Sequence, residues 1–223
     1  MKNKKKLLVL LLLLLLASAT VVTTAFAKYT DSKDGGGTAG KVATWGVTIN
    51  AGTGDLFKET YTDSNSKKVI ASASTGTNVM APGATGKVES IGITGTPEVA
   101  VTIKMTPTVT LTGWSIPTGV ESNTEIYFPL EVKVGGTKIT WTDATDLAKI
   151  KADIEAKLTK EVSYEAGSDL SSSEIPTSIE WKWEFTSDGA DVKDTKLAAT
   201  SSTFGISYTI SVEQILALPA AAE

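Results

Sequence analysis

Two groups of side chains in this chain have the types and spacing to do chemistry. In the stretch TSDGADVKDTK, Asp188, Asp191 and Asp194 stand three residues apart, and carboxylate oxygens on a loop suit the hard, oxygen-seeking Ca2+ ion. The spacing departs from an EF-hand loop. Asp63 and Asn65 depart from it as well, because Lys67 takes the place of the next ligand. Asp in glycine-containing turns commonly accepts from nearby backbone N–H groups, so the favoured reading of the three is structural, with Ca2+ as the alternative. The second group is the aromatic row Trp181, Trp183 and Phe185 in IEWKWEF. Exposed, it would stack on sugar rings; in an alternating strand it reads as core.

Other chemistry is limited by what the chain lacks. It contains no His, no Cys and no Arg. A zinc hydrolase needs imidazole ligands, as in His-Glu-x-x-His, and a Ser-His-Asp or Cys-His nucleophile needs a histidine base. The glycines from Gly35 to Gly40 form no phosphate loop, for they lack the Gly-Lys-Ser/Thr ending and precede a strand rather than a helix. We therefore expect no catalytic residues and no cofactor. An exported chain without Cys also cannot use disulfides and must be stable through packing or assembly.

The N-terminus reads as an export signal. Lys2, Lys4, Lys5 and Lys6 precede the apolar run Leu7–Leu16, and Ala25-Phe26-Ala27 supplies an A-x-A cleavage site. Ala17-Ser18-Ala19 offers a second cut. The alternative is an uncleaved anchor, since Leu7–Ala27 is uncharged and about long enough to span a bilayer. A type IV pilin would be cut before its apolar segment, whereas this site follows it. The chain ends LPAAAE, without a Leu-Pro-x-Thr-Gly sorting signal, so surface attachment is expected through other proteins or polymerisation.

Cleavage after Ala27 divides the chain into a signal peptide (1–27), a polar arm (28–40) with Gly35, Gly36 and Gly37, and a body (41–223). The body and arm together are large enough for one domain with its own core. Residues 28–223 hold 17 lysines against 25 carboxylates, a net charge of −8, which makes nucleic acid an unsuitable partner.

The body alternates with period two. Lys41–Asn50, Lys87–Ile93, Glu98–Leu111, Glu125–Val134, Thr137–Trp141, Ile179–Phe185 and Phe204–Val212 are expected strands, with weaker ones at Leu56–Tyr61 and Val69–Ala73. Pro82-Gly83 presets a type II turn, and Gly135-Gly136 a hairpin. Lys87–Ile93 and Glu98–Leu111 are read as a central hairpin, with Pro107 putting the later half of the second strand at an edge or bulge. The period changes over 143–160, where Leu147, Ile150, Ile154 and Leu158 predict one amphipathic helix capped by Thr142 or Asp143. Gly167–Thr177 and Thr186–Lys196 are expected loops. The fold class is all-β, an antiparallel jelly-roll-like sandwich with one inserted helix.

These features resemble the TasA/camelysin family of exported filament proteins, whose precursors are cut by a dedicated signal peptidase. The likeness is carried by the signal ending at Ala27, the start Lys28-Tyr29-Thr30-Asp31, the early strand Val42–Ile49, Val79-Met-Ala-Pro-Gly83 leading into Val99–Met105, and the closing strand Phe204–Gln214. The resemblance implies a secreted, non-enzymatic subunit of a biofilm-matrix or cell-surface fibre. Its arm, Lys28, Tyr29, Thr30 and Asp31, would insert into the next copy as a donor strand, with an accessory protein as a possible fibre anchor. The arm departs from the pattern in being less apolar than a tightly binding donor strand. Alternatives are a monomeric cell-surface or glycan-binding module, and a camelysin-like metalloprotease, which the absence of histidine disfavours. The intact mass of protein recovered from culture medium should correspond to a chain starting at Lys28; retention of residues 1–27 would point to the anchor instead.

Overall fold

The computed structural model describes residues 42–119, 123–185 and 190–215. From Thr44 onward these form one compact unit. The signal peptide, its cleavage residues Ala25 and Ala27, and the arm residues Lys28, Tyr29, Thr30 and Asp31 lie outside the described residues.

In chain order the strands are β1 (Val47–Thr53), β2 (Thr60–Thr62), β3 (Lys68–Ala71), β4 (Thr85–Gly95), β5 (Val101–Thr112), β6 (Ser115–Pro117), β7 (Thr124–Ile126), β8 (Leu130–Val134) and β9 (Thr137–Lys138). Helix α1 (Leu147–Leu158) then leads into β10 (Lys160–Tyr164) and β11 (Ser178–Trp183), and α2 (Ala190–Ala198) precedes β12 (Thr203–Gln214). Two antiparallel sheets dominate: a five-stranded one in the order β1-β4-β11-β8-β9 and a three-stranded one in the order β10-β5-β12. The pairs β2-β3 and β6-β7 stand apart from both. The expected all-β antiparallel sandwich is what forms.

Alternation explains the layers. On β5, Val101, Ile103, Met105 and Val109 are buried while Thr106, Thr108 and Thr110 are exposed. On β11, Ile179, Trp181 and Trp183 face the core. The indole N–H of Trp181 donates to the Leu56 carbonyl at 2.6 Å. Its neighbour across the strand pair is Gly86, where an added Cβ would lie 1.7 Å from the Leu56 oxygen and 2.4 Å from Trp181 Nε1. That glycine is required by packing rather than by backbone conformation. Phe57 stacks on Trp181 with centroids 5.7 Å apart, and Phe128 meets Trp114 and Phe204 edge-on.

The turn chemistry follows the sequence. Gly83 has φ +89° and the Ala84 N–H donates to the Ala81 carbonyl, closing the Pro82-Gly83 turn. Gly135 and Gly136 both have positive φ, as the tight β8-β9 hairpin requires.

Several expectations are corrected. β4 and β5 do not form a hairpin; they lie in different sheets, and the chain crosses between layers through Thr96-Pro97. A hairpin and such an arch leave the same alternation in the sequence, so periodicity cannot tell them apart. The first strand begins at Val47, after Gly46 at φ +55°. The run Glu125–Val134 is split, because Phe128-Pro129 carries the chain from β7 to β8.

Helix α1 buries Ile150, Ile154 and Leu158 completely, but its cap is Asp146, whose carboxylate accepts from the N–H groups of Ala148 and Lys149. Thr142 is instead bound to the helix carboxylate of Asp153 through both its N–H and its hydroxyl. The Thr145 hydroxyl and N–H, together with Lys149, hold the Asp143 carboxyl down to about 2. A second helix, α2, replaces part of the expected loop after Thr186.

The crowding at Gly86 gives a sharp comparison. Gly86→Ala should destabilise the protein by at least about 3 kcal/mol through overpacking. Gly92→Ala, whose Cβ would meet nothing within 4 Å, should stay within about 0.5 kcal/mol of the parent, both read by urea unfolding.

Candidate strand-acceptor edge

The register of the three-stranded sheet fixes which backbone groups of β12 are used. The Ile215 N–H donates to the Ala100 carbonyl, so this is a hydrogen-bonded pair, and alternation along an antiparallel ladder makes its neighbours the reverse. Phe204, Ile206, Tyr208, Ile210, Val212 and Gln214, opposite Leu111, Val109, Pro107, Met105, Ile103 and Val101, are therefore the positions whose N–H and C=O point away from β5. Two facts on the other side of β5 agree. Pro107, which has no N–H to offer, sits at such a position just past the point where β10 ends opposite Met105. The next outward N–H, that of Val109, donates to the Glu155 carboxylate of α1 at 3.4 Å.

The two margins of β5-β12 thus differ. On one, β10 and then α1 supply partners. On the other, β12 pairs only with β5 among the described residues, which leaves six alternate N–H and C=O sets along a strand of 12 residues. The expectation that Pro107 marks an edge is met, at the stretch of β5 beyond β10.

The opposing sheet is wider on the same side. Tyr208 of β12 reaches across to donate its hydroxyl to the Ala51 carbonyl of β1, so β1 and β12 bound one side of the sandwich. Burial raises the proton affinity of that phenol. Directly opposite residues of an antiparallel pair share a face, so Ile49 points the same way as its partner Ile93. Ile93 is 2% exposed and Ile49 is 43% exposed. The core-facing surface of the five-stranded sheet therefore extends past the last strand of the sheet that should cover it. Trp45, just before β1, is 42% exposed. On β12, Tyr208, Ile210 and Val212 are only half-buried. Beside the Tyr208–Ala51 contact the margin is a slot between the β12 backbone, a polar wall, and β1, whose inward Ile49 is left accessible.

The residues singled out in the sequence lie elsewhere. Asp188 lies outside the described residues, and Asp191 and Asp194 are one helical turn apart on α2 rather than on a loop. Asp194 is buried and accepts a 2.9 Å hydrogen bond from the Tyr127 hydroxyl. Lys193 pairs with Glu125 at 2.9 Å and lies over the Tyr127 ring. The cluster fastens α2 to the β6-β7 pair. Among the described residues no group of three carboxylates is placed to hold a metal ion. Of the aromatic row, Trp181 and Trp183 are core, whereas Phe185 lies past the end of β11 and is 72% exposed. The slot was missed because it depends on Tyr208 and Ala51, which are 157 residues apart. The alternating closing strand was the one part of it visible beforehand.

In comparisons with protein-family models, curated proteins and solved structures, nothing matches this chain.

Burial and the Asp194 carboxylate push the Tyr127 phenol well above its usual range. A raised pKa means stability that is complete below the unfolded value, about 10, and lost as pH climbs above it. Tyr127→Phe should lower stability at neutral pH by about 1–3 kcal/mol, by leaving Asp194 without its donor, and should flatten the fall in stability above about pH 10, measured by urea titration at each pH.

Proposed function

We propose that this protein is a secreted structural subunit of an extracellular fibre, joined head-to-tail when a segment of one copy enters the β12 slot of the next. The observation that carries this reading is the side of the sandwich where, among the described residues, the unpaired margin of β12 and the accessible Ile49 of β1 lie together. An added strand would satisfy both at once: its backbone would pair with the outward groups of β12, and its inward side chains would cover Ile49. Because donor and slot belong to different parts of one chain, such a contact is heterologous and propagates unless it closes into a ring.

The donor in this proposal is the N-terminal arm, with Tyr29 as its apolar residue and Gly35-Gly36-Gly37 as the tether, and the signal peptidase cut after Ala27 frees it. The reading is non-enzymatic, on the ground that the chain has no His or Cys for the nucleophile and zinc chemistries considered. A glycan platform built on Trp181, Trp183 and Phe185 is not favoured, since the first two are in the core.

Two variants test assembly, one removing the donor and the other altering the acceptor margin at Val212, whose half-buried side chain packs against the rim of the core. Deleting Lys28–Gly37 should leave a folded monomer by sedimentation and electron microscopy. Val212→Pro removes an outward N–H while Ser211 and Glu213 keep the ladder to β5; it too should fold and fail to polymerise. Fibres of normal length from either variant would refute the mechanism.

A further inference from the structure

The two broad outer faces of the sandwich have opposite chemistry. The five-stranded sheet presents Lys87 and Glu89 from β4, Glu180 and Lys182 from β11, and Glu131 and Lys133 from β8. Opposite charges are adjacent: Lys87–Glu89 at 2.6 Å, Lys133–Glu131 at 3.1 Å, and Glu180 in register between Lys87 and Lys133. The three-stranded sheet presents hydroxyls. Its outer face pairs Thr106 with Thr209, Thr108 with Ser207, Thr110 with Gly205 and Thr112 with Thr203, and every Thr and Ser in these pairs is exposed.

No charged residue lies within those four pairs; charge resumes at Lys104, which pairs with Glu161, and at Glu213. Thr112 and Thr203 bond to each other, while the other five hydroxyls bond to no protein group among the described residues.

We infer that this strip is the surface on which neighbouring fibres pack side by side, a second copy of the chain being its occupant; the inference rests on the fibre reading. Copies carrying a net −8 over residues 28–223 repel one another, so lateral contact is least opposed where a face holds no charge. Covering the opposite face would desolvate its ion pairs, which is unfavourable. Covering the strip desolvates only hydroxyls that can bond across the contact, and the Thr methyl groups contribute apolar area.

Size decides how the contact operates. Seven residues of two strands make a strip about 24 Å long and about 10 Å wide, so about 240 Å² per copy against the ~800 Å² per partner of a stable pair. Two monomers will not associate through it. A fibre presents one strip per subunit, and the repeated contact adds along its length.

The test compares wild-type fibres with Thr108→Lys and, separately, Ser207→Lys, using Lys182→Ala on the charged face as control. Low-speed pelleting and cryo-electron microscopy should show wild-type and control fibres in bundles that thicken with added NaCl, as screening weakens repulsion. Both lysine variants should give single fibres of unchanged length, with low-speed pelleting reduced at least fivefold. Bundling that persists in both lysine variants, or wild-type fibres that stay single at every salt concentration, overturns the lateral contact and leaves the fibre reading intact. A wild-type protein that forms no fibres overturns both.

Discussion

The constraint on which the rest of this structure depends is that every strand at the margin of a sheet leaves alternate N–H and C=O groups to be satisfied. Around β5 and β12 the chain meets this in three ways. β10 pairs with the first half of β5. Beyond it, Pro107 removes one donor from the ladder, and α1 brings Glu155 to the next, at Val109. The helix therefore continues the edge where the strand stops, and its buried Ile150, Ile154 and Leu158 close that side of the core. On the far margin, β12 has its outward groups and no such partner among the described residues.

The unequal width of the layers turns this margin into a slot. The three strands, extended by α1 on one side, leave β1 on the other less covered: its inward Ile49 remains accessible while Ile93 beside it is buried. The hydrogen bond from Tyr208 to the Ala51 carbonyl ties the layers at this side. Backbone groups and apolar area lie open at the same place, which is why one added strand would meet both needs. The broad outer faces differ from it among the described residues: one sheet is neutralised by alternating Lys and Glu and the other ends in hydroxyls.

Without disulfides, the core is secured by large aromatic side chains from distant parts of the chain. Trp181 stacks on Phe57, Phe57 meets Phe204, and Phe204 and Trp114 both meet Phe128, and the indole of Trp181 ties the Leu56 carbonyl against Gly86. α2 is attached by a different means. Its sequence has little apolar periodicity, and it is anchored by Leu197 together with the Tyr127–Asp194 hydrogen bond and the Lys193–Glu125 ion pair. That is why Asp191 and Asp194 look like loop ligands in the sequence and prove to be helix residues.

The sequence by itself determined the local terms. Period-two alternation marked most of the strands, the 150-154-158 spacing marked α1, Pro82-Gly83 and Gly135-Gly136 marked their turns, and Pro107 marked an edge, because each of these depends on neighbours a few residues apart. It also bounded the chemistry through the residues it lacks. Only the tertiary structure decided which strands share a sheet, that β4 and β5 are split between layers, that Asp194 belongs to Tyr127, and that Ile49 is left uncovered. Alternation states which side chains face inward but not what lies opposite them, and the partner across a sheet or between layers is set by the packing of the whole chain.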